Sequence, residues 1–128
     1  MIKKFKEVIP ATPAEVVGLF LLLACFLLVF LVSHYSTDLN YPFPHWDKVL
    51  HTTAGISLAL IFYPHIKGRQ LVFLVFLLGL AFECVEICIS PPAMYGGLHP
   101  YLIDTIGDLI VDALGAWIVV LGYQRYGK

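Results

Sequence analysis

The stretch Tyr101-Leu-Ile-Asp104-Thr-Ile-Gly-Asp108-Leu-Ile-Val-Asp112-Ala-Leu-Gly115-Ala-Trp-Ile-Val-Val-Leu-Gly122 decides how the chain is read. As a helix rising about 1.5 Å per residue it reaches across the roughly 30 Å hydrocarbon layer of a membrane, and most of it is apolar. Its three aspartates recur at every fourth position. They therefore sit on successive turns of one face, drifting by about 40° at each step. An ionised carboxylate held near a bilayer centre costs on the order of 3 kcal/mol, so each of them needs a proton, a partner or a cation. Something has to face that stripe.

Of the 128 residues, 59% are hydrophobic and 13% are charged, whereas a soluble domain carries about a quarter of its residues charged. The composition is that of a membrane protein. A net charge of −1 leaves no basic footprint for nucleic acid. Four apolar segments separated by prolines and glycines predict an all-α, polytopic membrane protein. It forms a single domain over residues 1–128, with four transmembrane helices at about 13–33, 45–63, 70–90 and 101–123.

The first helix opens on Thr12-Pro13-Ala14-Glu15, a cap residue, a proline at the first helical position and a glutamate three residues after the cap. Its apolar run, Val16 to Val32, exceeds the roughly 7–15 residues of a signal-peptide core, and no Ala-x-Ala site follows, which predicts a retained span. Tyr41 and Trp46 suit a membrane interface. Pro64 stops the second helix, Pro91-Pro92 the third, and Pro100 is expected to open the fourth. Cys25, Cys84 and Cys88 lie in apolar runs and read as small buried residues. Lys3, Lys4, Lys6, Lys67, Arg69, Arg125 and Lys128 fall on the side shared by the two termini and the second connection, and only Lys48 falls on the other. Because basic residues mark the cytoplasmic face, both termini are expected there.

Depth and face then bring the polar residues together. Asp47, Lys48 and His51 open the second helix, Glu83 and Glu86 lie in the last two turns of the third, and Asp104, Asp108 and Asp112 descend from the outer start of the fourth. Asp47, His51 and Gly55 form an i, i+4, i+8 row, while Gly79, Glu83, Glu86 and Ser90 follow the i, i+4, i+7, i+11 stripe of a helix face. Gly107 and Gly115 on the fourth helix favour close backbone approach. Three helices are thus expected to turn toward one pocket near the outer face.

Six carboxylates share only Lys48 and His51 as cationic partners there. Protonation, water or a divalent cation can answer the excess. Oxygen-rich clusters suit Mg²⁺, Ca²⁺ or Mn²⁺, and an added imidazole suits Zn²⁺ or Fe²⁺ as well, so the identity of the ion is open. The candidate metal ligands are Asp47, His51, Glu83, Glu86, Asp104, Asp108 and Asp112. The candidate catalytic groups are His51, as ligand or proton shuttle, and Glu83, Glu86 and Asp108, as ligands or base. Asp47, Lys48 and Asp104 also fit as helix-end charges. His34, His45 and His65 read as solvated residues near the interfaces, and His99 as a loop residue above the pocket.

Asp47-Lys48-Val49-Leu50-His51 with Gly55, then Glu83 and Glu86, then Asp104-x-x-x-Asp108-x-x-x-Asp112-x-x-Gly115-Ala116, resembles the VanZ-like group of small bacterial integral membrane proteins and the related YjdF-type inner-membrane proteins. The resemblance covers helices two to four. It implies a helical bundle in a bacterial plasma membrane and a link to the cell envelope, since VanZ is associated with teicoplanin resistance. VanZ-type sequences usually have Asn where Asp112 stands and an arginine ahead of the fourth-helix acid, so the acidic excess here is larger.

The leading expectation is a pocket that binds a divalent cation together with the head group of an envelope lipid or lipid-linked precursor, as a metal-dependent hydrolase or transferase. The alternatives are a proton or cation relay in a transporter and a non-catalytic scaffold, in which the polar cluster only orders the bundle. A protein partner or a homo-oligomer is compatible with all three.

Overall fold

The computed structural model describes residues 12–35 and 45–127. Lys3, Lys4, Lys6, Tyr41 and Lys128, and the side chain of His34, lie outside what is described. The described residues form four α-helices, α1 (Pro13–Tyr35), α2 (Trp46–Phe62), α3 (Arg69–Ile89) and α4 (Leu98–Tyr126), with a 3-10 turn at Pro92–Tyr95 before α4. No strand occurs among them.

The entry to α1 follows its sequence signature. The Thr12 amide donates to Glu15 Oε2 at 2.5 Å, and the Glu15 amide donates to Thr12 Oγ1 at 3.3 Å, so two orphan donors of the first turn are satisfied reciprocally. The other oxygen of Glu15 reaches His65 Nε2 at 3.0 Å, giving His65 a partner that its loop position did not announce. This contact fastens the start of α1 to the α2–α3 connection. Together with Tyr63 stacked on Tyr123, it places the start of α1, the end of α2, the start of α3 and the end of α4 at one end of an up-and-down bundle.

Three of the helices, within Pro13–Val32, Arg69–Ile89 and Leu98–Tyr126, are long and apolar enough to cross a membrane. The second helix is not one of them, because its 17 residues span only about 25 Å. Its position accounts for the difference. α2 packs against α1, α3 and α4, and from Trp46 to Phe62 Val49 alone is exposed. The outward faces of the other three helices carry Phe20, Phe30, Phe73, Ile89, Ile106 and Ile118 among their exposed apolar side chains. A sheathed helix need not match the lipid on its own.

The fourth helix begins at Leu98, two residues before the proline expected to open it, and runs on to Tyr126. Pro100 therefore sits in the first turn, where an amide has no intrahelical acceptor in any case and its loss costs little. Cys25 is buried as expected, but Cys84 and Cys88 are exposed, because they lie on the face of α3 opposite its buried row of Leu71, Val75, Gly79 and Glu83.

The interior is divided along the bundle. One half is an apolar core of Ala59, Leu71, Val75, Ala116, Val119 and Val120. At the middle, α2 and α4 cross at very short range. A side-chain carbon on Gly55 would run into the Asp112 carbonyl, and one on Gly115 into the Thr52 carbonyl, so both positions depend on a bare Cα. Beyond that crossing the interior becomes polar.

Candidate cation site

The polar half is built from the ends of α2, α3 and α4, and it contains two adjoining groups. The outer one surrounds Lys48. Its ammonium donates to Asp47 Oδ2 at 2.9 Å, Asp104 Oδ1 at 2.5 Å and Asp108 Oδ1 at 2.7 Å, and to the Asp104 carbonyl at 3.3 Å. Three carboxylates from two helices are thus gathered on one tethered cation.

The inner group surrounds the imidazole of His51. On one side, Nδ1 lies 3.3 Å from Asp112 Oδ2. On the other, Nε2 lies 3.8 Å from both Glu83 Oε1 and Asp108 Oδ1. One ligand atom from each of His51, Glu83 and Asp108 lies within 4.8 Å of the other two. Each of these residues comes from a different helix: α2 supplies His51, α3 Glu83 and α4 Asp108. Glu83 and Asp108 are 5% and 3% exposed. The Phe82 ring meets His51 in a T-shaped contact, the ring centroids being 5.8 Å apart.

Glu83 is held from behind. Its Oε2 accepts a hydrogen bond from Thr105 Oγ1 at 2.9 Å, and its backbone carbonyl accepts one from Tyr101 at 3.5 Å. Its other oxygen, Oε1, is fully buried and has no hydrogen-bond partner. A buried carboxylate oxygen without a hydrogen-bond partner is costly, and natural structures commonly meet such an oxygen with an ordered water or an ion. This oxygen points to the same space as His51 Nε2 and Asp108 Oδ1.

The donor set matches a small divalent cation. One imidazole nitrogen and two carboxylate oxygens is a ligand combination used for Zn²⁺, Mn²⁺ and Fe²⁺, with further positions left for water or substrate. The carboxylate at Nδ1 is the usual way of fixing the tautomer of a ligating histidine, leaving Nε2 as the ligand atom. Of the seven candidate ligands, the structure therefore brings His51, Glu83 and Asp108 around one point. Asp47, Asp104 and Asp108 surround a second, which Lys48 fills, and Asp112 lies behind the imidazole.

Glu86 joins neither group; its Oε1 accepts a hydrogen bond from the Tyr95 hydroxyl at 3.1 Å, from the 3-10 turn that caps this end. Burial and the neighbouring Glu86 carboxylate raise the Tyr95 pKa, so the phenol remains a donor. His99 also joins neither group and is exposed on the first turn of α4. Thr105, Tyr101 and Tyr95 did not stand out in the sequence. For Tyr101 and Thr105 a signal existed, because Tyr101, Thr105, Asp108 and Asp112 share one i, i+4, i+7, i+11 face.

A family described as "Predicted membrane protein (DUF2238)" matches residues 11–128, all four helices and the whole of both polar groups. The chain belongs to that family. No curated protein and no solved structure matches it. As a family member the chain is a membrane protein, and His51, Glu83 and Asp108 all lie within the matched region.

Proposed function

We propose that this membrane protein binds a divalent cation at His51 Nε2, Glu83 Oε1 and Asp108 Oδ1, near the bundle end that faces away from the cytoplasm. The observation that supports the reading is that the buried Glu83 Oε1 has no hydrogen-bond partner and lies 3.8 Å from His51 Nε2, which is itself 3.8 Å from Asp108 Oδ1. An ion there would meet the Glu83 oxygen and offset the negative charge that five carboxylates bring around one imidazole and one ammonium. With positions left open, it would also hold an anionic head group. The resemblance to VanZ-like and YjdF-type proteins implies a bacterial inner membrane and a link to the cell envelope, which favours an envelope lipid or lipid-linked precursor as the source of that head group. Within that class the ion suits hydrolysis or transfer at a phosphoester, polarising the ester and activating water.

The orientation rests on Lys67, Arg69 and Arg125, which gather at the end opposite the site, with Lys48 the only lysine or arginine near it among the described residues. Basic residues at one end favour it as the cytoplasmic one, which supports a site that faces outward. A relay across the membrane is less well supported, because the half of the bundle beyond the site is filled by Ala59, Leu71, Val75, Ala116, Val119 and Val120. Purified protein loaded with Mn²⁺ or Zn²⁺ and desalted tests the site directly. One ion per chain is expected for the wild type and a large loss for E83Q and D108N. Equal and negligible metal in all three would leave a polar cluster that only orders the bundle.

A further inference from the structure

The cation site as read above does not explain Lys48. Its ammonium joins the more exposed outer carboxylates to Asp108 of the inner group. Its side chain is 23% exposed, and its partners Asp47 and Asp104 are 33% and 29% exposed. The side chains of Glu83 and Asp108 beneath it are only 5% and 4% exposed. Lys48 also holds Asp108 Oδ1, the same oxygen that faces His51 Nε2. A carboxylate oxygen that accepts a hydrogen bond from an ammonium at 2.7 Å is less available to a metal ion, and a fixed positive charge beside the site repels an incoming one. The Cβ position of Gly107 lies against the Lys48 side chain, at 3.3 Å from Cε, so the fold leaves room for this placement on α4.

We propose, resting on the cation-site reading, that Lys48 is a tethered competitor: an internal ammonium that plugs the entrance of the His51–Glu83–Asp108 site and competes with a divalent cation for Asp108. Binding then requires the lysine to release Asp108 and turn toward Asp47 and Asp104, which remain as its partners. The chain uses the flexible stem and point charge of lysine for this, where an arginine would lock the carboxylates in a bidentate fork. The affinity of the site is thereby set below what its three donors alone would give, and an anionic head group that draws the ammonium away would favour loading.

Two variants test the plug. K48M removes the ammonium. K48Q/D104N removes it while keeping the net charge of the wild type, so the outer group is no more negative than in wild type if K48M fails to fold. Mn²⁺ binding to purified protein in detergent is measured by calorimetry, with E83Q added to each background to identify the inner site. The expected result is binding at least about tenfold tighter in K48Q/D104N than in wild type, abolished by E83Q. Equal or weaker binding in K48Q/D104N overturns the plug and leaves the cation site standing. Absence of Mn²⁺ binding in every background removes the site, and the plug with it.

Discussion

At the scale of single residues, the site depends on one imidazole being held the right way round. Asp112 lies 3.3 Å from His51 Nδ1, which leaves Nε2 toward Glu83 and Asp108. Room for that carboxylate comes from α3, where a side-chain carbon on Gly79 would collide with Asp112 Oδ2. The colliding atom is the end of a flexible side chain, so G79A should disturb the fold little and the histidine much. Mn²⁺ affinity by calorimetry is expected to fall about tenfold in G79A, the scale of losing an outer-shell partner of a ligating histidine, with a thermal midpoint close to wild type. Unchanged affinity in folded G79A would mean that Asp112 does not orient the ring. The spacing of Asp104, Asp108 and Asp112 was enough to put all three on one face, but helical period reports the face and not the depth of each neighbour. It could not tell that one aspartate would meet Lys48, another would be shared by Lys48 and His51, and the third would sit behind the imidazole.

At the scale of helices, the decisive element is the short one. α2 carries His51 and Lys48 and is enclosed by α1, α3 and α4, and its register against α4 is set where Gly55 and Gly115 let the backbones touch. Unlike the Gly79 contact, the obstructing atoms here are main-chain carbonyls, which cannot swing aside. G115A is therefore expected to cost on the order of 2 kcal/mol, the range for overpacking a tight interior, and to lower the thermal midpoint clearly more than G79A does. Equal midpoints for the two variants would show that the crossing is looser than described. The helices themselves were legible because apolar runs, capping residues and prolines report local structure, and the Thr12–Glu15 capping box forms as its spacing indicated. What the runs could not reveal is that α2 is sheathed, since its apolar content resembles that of a span while its length falls short of one.

At the scale of the whole molecule, an apolar half and a polar half are stacked end to end along one bundle. The apolar half, with Tyr63 stacked on Tyr123 at 3.9 Å between ring centroids, gives α2 and α4 a fixed arrangement. That rigidity allows the polar half to keep an imidazole and two carboxylates at 3.8 Å with one oxygen unsatisfied, an arrangement that would otherwise relax. Convergence of the three helices was legible because buried charge in a membrane demands an answer. The exact partners were not, because pairs such as Thr105 with Glu83 are far apart in sequence and are made only by packing. The most direct test of the account is pulsed EPR of Mn²⁺ bound to protein labelled with ¹⁵N-histidine, beside the unlabelled protein and labelled H51Q. Coupling to a single imidazole ¹⁵N, present in the labelled wild type and lost in H51Q, is the expected result. A spectrum showing only water around the ion, or a histidine coupling that survives in H51Q, would contradict it.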